Sequence, residues 1–332
     1  MRVIKDSIVK WGVLGVGNVC EVKSAPAMQL IPGSELVAVM RRDGQKAKAY
    51  AERHGVPKWY DETDKLISDP EVNAIYIATP PHVHAELTRK AADAGKPVYV
   101  EKPMATNYQE CLDMISTCER AKVPLFVAYY RRTLPNFLKI KQLVEDGVIG
   151  DVRLVNIQMN QTKDPKIMIS TETNWRVDPE IAGGGYFYDL ASHQLDFLDF
   201  LFGPIKAAKG IAANQAGRYP AEDIVTASFE FENGILGSGS WCFTTSKTAN
   251  KDMTIIVGSK GQISYPTFGE PYVLLETDKK GQERFDFEVP KHIQYFLIES
   301  IVNELLGKGK CPSTGISAAR TNWVMEQIVY GG

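Results

Sequence analysis

Cysteine is scarce and scattered in this chain of 332 residues, which holds five: Cys20, Cys111, Cys118, Cys242 and Cys311. The number is odd and no two form a C-x-x-C pair, which argues against a disulfide framework and against a cysteine zinc site. His82 and His84 are two apart at a strand-to-helix turn, so no metal centre is expected, and the thiols read as reduced ones in a cytoplasmic protein. An excess of charge of one sign is missing as well. The 38 basic and 40 acidic side chains leave a formal charge of −2, which creates no field to gather nucleic acid or an anionic membrane surface. No apolar run approaches the length that spans a bilayer. The opening MRVIKDSIVKWG carries charges where a secretory leader needs an unbroken apolar stretch. Repeats, low-complexity tracts and long linkers are absent too. What remains is an ordinary globular composition, 44% hydrophobic, in a chain too long for one typical core, and two domains are expected.

From residue 9 to about residue 128, short apolar strands alternate with amphipathic helices. Strand-like pieces lie at 9–14, 35–40, 74–78, 98–100 and 125–127, and helical stretches at 45–54, 83–94 and 108–121. The strands are apolar throughout, as strands covered on both faces are, so a doubly wound parallel sheet of Rossmann type is predicted. Its first turn is WGVLGVGN, residues 11–18, a strand that turns on glycine and enters a helix. Such a turn brings backbone N–H groups against a pyrophosphate, with Gly15, Gly17, Asn18 and Val19 as the candidate contacts. Cys20 takes the place of the third glycine of that fingerprint, where a small thiol fits with slightly looser helix–strand packing. Read alone, the motif is also compatible with an ordinary glycine turn.

After Pro135 the pattern changes. A helix to about residue 145 leads to a strand over 152–161 with one solvated face, a polar stretch over 164–173, the triplet Gly183-Gly184-Gly185 and a helix to Phe202. Strands then follow one another at 225–232, 235–242, 253–257, 262–265, 272–276 and 284–289, and two helices, 291–306 and 315–329, close the chain. Consecutive strands with segregated helices predict an α+β domain with a large, mostly antiparallel open sheet. The expected division is a dinucleotide-binding domain over 1–128 and an α+β domain over 129–332, with the last helix packing back on the first domain.

Two groups of residues carry chemistry. Glu101-Lys102-Pro103 ends the strand 98–100, and ligands of such sheets bind outside the carboxyl ends of strands. There the Lys102 ammonium would favour an alkoxide-like transition state; the alternative is a surface lysine in a loop. The second group is Asp189, His193 and Asp196, spaced by four and three so as to share one face of a helix whose packed face is Phe187, Leu190, Phe197, Leu198 and Leu201. Histidine suits proton transfer near neutrality and a carboxylate one turn away can orient it; the alternative is a structural histidine in a capped helix.

Together these motifs resemble the glucose–fructose oxidoreductase and inositol dehydrogenase family (Gfo/Idh/MocA). The resemblance runs over nearly the whole chain through Gly15-x-Gly17, Thr79-Pro80 followed by His84, Glu101-Lys102-Pro103, Trp175-Arg176 and the glycine-rich run into Asp189-x-x-x-His193. It implies a nicotinamide cofactor, hydride transfer at a sugar or cyclitol carbon, catalytic Lys102, His193 and Asp189, and dimers or tetramers built on the outer face of the second sheet. The resemblance thus makes 129–332 the substrate-binding and oligomerisation domain. Thr79, Pro80, His84, Glu101 and Lys102 join the glycine turn as the implied cofactor contacts. The second strand ends in Met40-Arg41-Arg42-Asp43, with the acid late and two arginines before it, so NADP is favoured over NAD; alternatively both arginines are solvated and Asp43 caps the next helix. Tyr129, Tyr130, Arg131, Trp175, Arg176 and Tyr188 are candidates to line a polyol pocket. Two other functions fit the same scaffold: a redox-neutral glycoside hydrolase that borrows the nicotinamide, and a catalytically silent sugar or nucleotide sensor.

Overall fold

The computed structural model describes residues 4–162 and 174–331, so the polar stretch expected at 164–173 lies outside the described residues. The chain forms two compact units, one of Met1–Tyr130 with Pro290–Ala319 and one of Arg131–Val289 with Arg320–Gly332.

The first unit is built on six parallel strands: β1 (Val9–Leu14), β2 (Ser34–Met40), β3 (Lys58–Tyr60), β4 (Ala74–Ile77), β5 (Val98–Val100) and β6 (Leu125–Val127). Their order is β3-β2-β1-β4-β5-β6, the doubly wound arrangement read from the continuous apolar runs. Every residue of β4, β5 and β6 is buried, which is why those segments show no polar alternation. The intervening helices start where their caps allow. Asp43 accepts from the Lys46 N–H ahead of Gly44–His54, and Asn107 accepts from the Glu110 N–H ahead of Tyr108–Ala121. Strand order reverses between β1 and β4, and the crevice at the carboxyl ends of those two strands is where such a sheet takes a ligand. The short β3, Lys-Trp-Tyr with no buried residue, went unread because three half-exposed residues leave no periodic signal.

The second unit carries eight strands: β7 (Val152–Asn160), β8 (Ile205–Ala213), β9 (Ile224–Phe231), β10 (Leu236–Cys242), β11 (Lys251–Gly258), β12 (Gly261–Tyr265), β13 (Tyr272–Thr277) and β14 (Gly281–Asp286). Their order is β14-β13-β12-β11-β7-β10-β9-β8. All neighbours run antiparallel except β7 and β10, which are parallel. One face is dry, with Val155, Ile157, Met159 and Trp241 buried; the other presents Leu236 and Ile211, 54% and 76% exposed. The helix Ser192–Phe202 touches the dry face, where the Trp241 indole N–H donates to Gln194 Oε1 at 2.7 Å. β8 was missed in the sequence because its Ile-Lys-Ala-Ala-Lys-Gly-Ile-Ala-Ala run is poor in strand formers. The last strand closes a tight hairpin on β13 and so begins at Gly281, three residues earlier than expected. No described helix is long and apolar enough to cross a membrane.

Candidate active site

In the first unit the glycine turn is packed against the end of β4. Gly15 has φ +92°, and a Cβ there would stand 2.7 Å from Thr79 Cγ2 and 3.1 Å from the Thr79 nitrogen. Only glycine meets both demands. Gly15 and Val16 donate their N–H groups to the Met40 carbonyl at 2.9 and 3.3 Å, which pins the turn to the end of β2. Gly17 precedes the short helix Asn18–Val22, and a Cβ there would meet nothing closer than the Gly15 carbonyl at 4.0 Å. Cys20, fully buried, points its Sγ at the Gly15 carbonyl 3.9 Å away. Burial pushes its thiol up to about 12, so it fills the third-glycine position as an inert apolar group.

Thr79 is the other wall of this crevice, and its hydroxyl is buried without a hydrogen-bond partner. His84, fully buried, braces the segment after β4: Nε2 is 2.7 Å from the Thr79 carbonyl and Nδ1 is 3.1 Å from the Met104 carbonyl. Desolvation lowers the pKa of the ring against the pull of the two carbonyls. It joins the turn after β4 to the segment after Lys102-Pro103, whose peptide bond is cis. Lys102 is half-buried just beyond β5, and its N–H donates to Glu101 Oε2 at 3.2 Å. Glu101 itself is buried, with Oε1 accepting from the Tyr76 hydroxyl and from Gln294 Nε2, each at 2.6 Å. At the end of β2, Arg41 Nη1 donates to the Val16 carbonyl at 3.3 Å and Arg42 is exposed. Asp43 serves as the cap of the next helix. A glycine turn with open space over Gly17 and an orphaned buried hydroxyl on its far wall fits the pyrophosphate and carboxamide chemistry of a nicotinamide dinucleotide.

In the second unit the glycine triplet launches the helix that carries His193. Gly183 closes the helix Pro179–Ala182 in the left-handed region, φ +83°. Gly184 lies under the Tyr188 ring, where a Cβ would come within 2.1 Å, and Gly185 donates its N–H to Glu222 Oε1 at 2.8 Å. The chain then makes one π-helical turn, Phe187–Ala191, before the α-helix Ser192–Phe202. Asp189 stands on the π turn, 15% exposed, with Oδ2 3.4 Å from Arg176 Nε; the Arg176 guanidinium stacks 4.4 Å over the Trp175 ring. His193, 3% exposed, meets the Phe268 ring edge to face at 5.8 Å.

The expectation that Asp196 continues a polar row with Asp189 and His193 is corrected by the structure. Asp196 is fully buried and takes two bonds from Arg132, Nε to Oδ2 at 2.9 Å and Nη2 to Oδ1 at 2.8 Å. Burial raises its carboxyl above the usual range against the pull of that guanidinium. Arg132 also reaches Asp199 Oδ1 at 3.2 Å, and Asp199 is clasped by Arg320 at 2.6 and 2.7 Å. The helix is buried on all sides over Ser192–Asp199, so a polar residue on it is not thereby a cleft residue. Among the other candidates, Tyr129 lies in the core of the first unit and Tyr130 is also buried. Arg131 donates to the Thr267 carbonyl at 3.0 and 2.9 Å and stacks 4.3 Å from the Phe268 ring. Tyr188 is 2% exposed. Arg132, Phe268 and Gln294 went unread: each acts through partners far off in the chain, and none stands in a motif. Among the described residues no group of acidic, histidine or cysteine side chains could hold a metal ion.

Residues 9–129 match the profile of the oxidoreductase family with an NAD-binding Rossmann fold, and residues 137–264 match that of the GFO/IDH/MocA C-terminal domain. An oxidoreductase of Formosa agariphila is 38% identical over 322 residues, 97% of this chain and 98% of its own. A trans-1,2-dihydrobenzene-1,2-diol dehydrogenase of Bos taurus is 29% identical over 256 residues, 76% and 72% of the two chains. Among solved structures, a levoglucosan dehydrogenase in complex with NADH and levoglucosan shares the fold with a TM-score of 0.85 at 22% identity, covering 96% of each chain.

Proposed function

The chain belongs to the GFO/IDH/MocA oxidoreductase family, and from that premise we propose that it is an NAD(P)-dependent dehydrogenase or reductase acting at a hydroxyl-bearing carbon of a sugar, sugar derivative or cyclitol. When bound, the nicotinamide supplies or takes up the hydride at that carbon. The observation that carries this reading is the reversal of strand order between β1 and β4, where Gly15 and Thr79 meet, with Lys102 at the end of the next strand, β5. Gly15, Gly17, Asn18 and Val19 would hold the pyrophosphate, and Thr79, Pro80, Glu101 and Lys102, with His84 against the Thr79 carbonyl, the rest of the cradle. NADP is favoured over NAD because the second strand ends in Arg41 and Arg42 with its acid late, Asp43 lying beyond them as the cap of the next helix.

Oxidation at a carbinol takes a hydride from carbon and a proton from oxygen, and the oxygen carries partial negative charge as its proton leaves ahead of the hydride. Lys102 steadies that charge as an ammonium. His193 takes the proton in oxidation and returns it in reduction, a task suited to a side chain that titrates near neutrality. Asp189, partly exposed on the π turn one helical turn before His193, positions the substrate or the imidazole. The half-buried Trp175 and the Asp189-bound Arg176 supply a stacking face and donors of the kind that recognise polyols. Assembly as a homodimer or homotetramer on the open face of the second sheet belongs to the same reading, with Ile211 and Leu236 as exposed apolar contacts.

Calorimetry with cofactor-stripped protein tests the first step: tight binding of NADP(H), weaker binding of NAD(H), and loss of the difference in an Arg41→Ala/Arg42→Ala variant. Failure to bind either dinucleotide refutes the reading, and equal affinities refute the preference. A panel of sugars and polyols followed by nicotinamide absorbance then supplies the substrate. With it, Lys102→Ala should lose orders of magnitude in kcat with cofactor affinity largely kept, and His193→Asn should lose about 10²–10⁴-fold together with one limb of the pH–rate profile. Near-native turnover and an unchanged profile in His193→Asn would remove the histidine from its role.

A further inference from the structure

Gln294 precedes the helix Tyr295–Leu305 and belongs to the first unit, nearly two hundred residues beyond the strand it contacts. It is 1% exposed. Its backbone N–H donates to the carbonyl of Lys23, the residue that closes the helix after the glycine turn, at 3.2 Å. Its side chain is used at both ends: Nε2 donates to Glu101 Oε1 at 2.6 Å, and Oε1 accepts from the Tyr99 hydroxyl at 2.7 Å. Glu101 Oε2 in turn accepts the Lys102 N–H at 3.2 Å. A carboxylate accepts and a phenol donates, so the amide can sit in one orientation only.

We propose that Gln294 is a positioning residue for Lys102: its amide fixes the Glu101 carboxylate that holds the Lys102 peptide, and its backbone anchors that assembly to the helix following the dinucleotide turn. An amide suits the place because it donates to Glu101 and accepts from Tyr99 without adding charge beside Lys102. Methionine in its place would take one donor from a buried carboxylate and leave the Tyr99 hydroxyl without its acceptor. Glutamate would set a second carboxylate against the first. The proposal rests on the part assigned above to Lys102.

The test is a double-mutant cycle joined to hydrogen exchange. Gln294→Met should lower kcat about tenfold in the native background and leave it nearly unchanged when Lys102→Ala is already present, since residues that act through one another do not give additive losses. In the cofactor-free protein, amide exchange in peptides covering residues 98–104 should quicken in Gln294→Met while the strands of the second unit keep their protection. This readout needs no substrate. Tyr99→Phe, which leaves Gln294 in place and removes one of its partners, should show the same dependence on Lys102 with a smaller loss, and it carries the test if Gln294→Met does not fold. Equal losses in both backgrounds, or unchanged exchange over 98–104, overturn the proposal. Lys102→Ala with full turnover overturns the lysine reading itself, and the proposal with it.

Discussion

Replacing Arg132 by methionine should cost the second unit about 3–5 kcal/mol at neutral pH, the range found when a buried ion pair loses one partner. The guanidinium is 4% exposed and makes two bonds to Asp196, whose side chain is 1% exposed. Methionine fills much of the same volume, so lost packing is a minor part of the cost. What remains is a carboxylate in the interior with its partner gone. Asp199, the other acceptor, keeps Arg320 at 2.6 and 2.7 Å and does not become an orphan. The expected loss is therefore tied to one carboxyl group, and two consequences separate it from a general loosening. Adding Asp196→Leu to Arg132→Met should restore most of the stability, because a pair of apolar residues carries no desolvation penalty. Lowering the pH should shrink the deficit of the single variant, because protonation removes the buried charge that methionine cannot balance. Urea denaturation followed by tryptophan emission suits the measurement, since Trp175, Trp241 and Trp323 lie in the second unit and Trp11 and Trp59 in the first. A single variant within about 1 kcal/mol of the parent, the upper end of an exposed pair, or a double variant weaker than the single, would refute the reasoning.

Gly15→Ala should weaken dinucleotide binding at least about tenfold and lower Tm, because the left-handed backbone costs about 1–3 kcal/mol for an L-residue and its Cβ meets Thr79 at 2.7 Å; calorimetry with unchanged affinity would contradict this. Asp252→Asn should flatten part of the pH dependence of stability. Burial pushes the Asp252 carboxyl from 3.8 up to about 6, so between these values the folded protein holds a proton that the unfolded chain has released, and stability falls as pH rises through that window. The fall amounts to about 3 kcal/mol, and an asparagine oxygen can still accept from the Phe268 N–H, so the variant should gain on the parent above about pH 6. Urea midpoints that shift in parallel at acid and alkaline pH would count against it.

Much of the first unit could be read from the chain because its signals are local. Val98-Tyr99-Val100 is apolar throughout because the strand is covered on both faces, and Asp43 and Asn107 mark helix starts by capping them. The glycine turn was legible for the same reason, since φ +92° and the approach of Thr79 permit no other residue at position 15. β8 escaped because alanine and lysine form strands only when their neighbours pair with them, and Ile205–Ala213 has its partner in β9. Gln294 escaped because nothing near it in sequence hints at Glu101.

Asp189 and Asp196 show where local reading ends. Both are aspartates on one stretch of helix, four residues before and three residues after His193, and spacing alone gives them equal claims on it. The π turn and the arginines separate them. Asp189 lies on the π turn, part exposed, with Oδ2 3.4 Å from Arg176 Nε. Asp196 faces Arg132, sixty-four residues earlier in the chain, in a two-bond grip from which water is excluded. A carboxylate so held cannot turn toward a substrate without abandoning its counter-ion inside the protein, and the energetic argument for the Arg132 variant is the same argument, seen from the other partner. Long-range pairing thus commits Asp196 to the stability of the fold, and the role proposed beside His193 falls to Asp189.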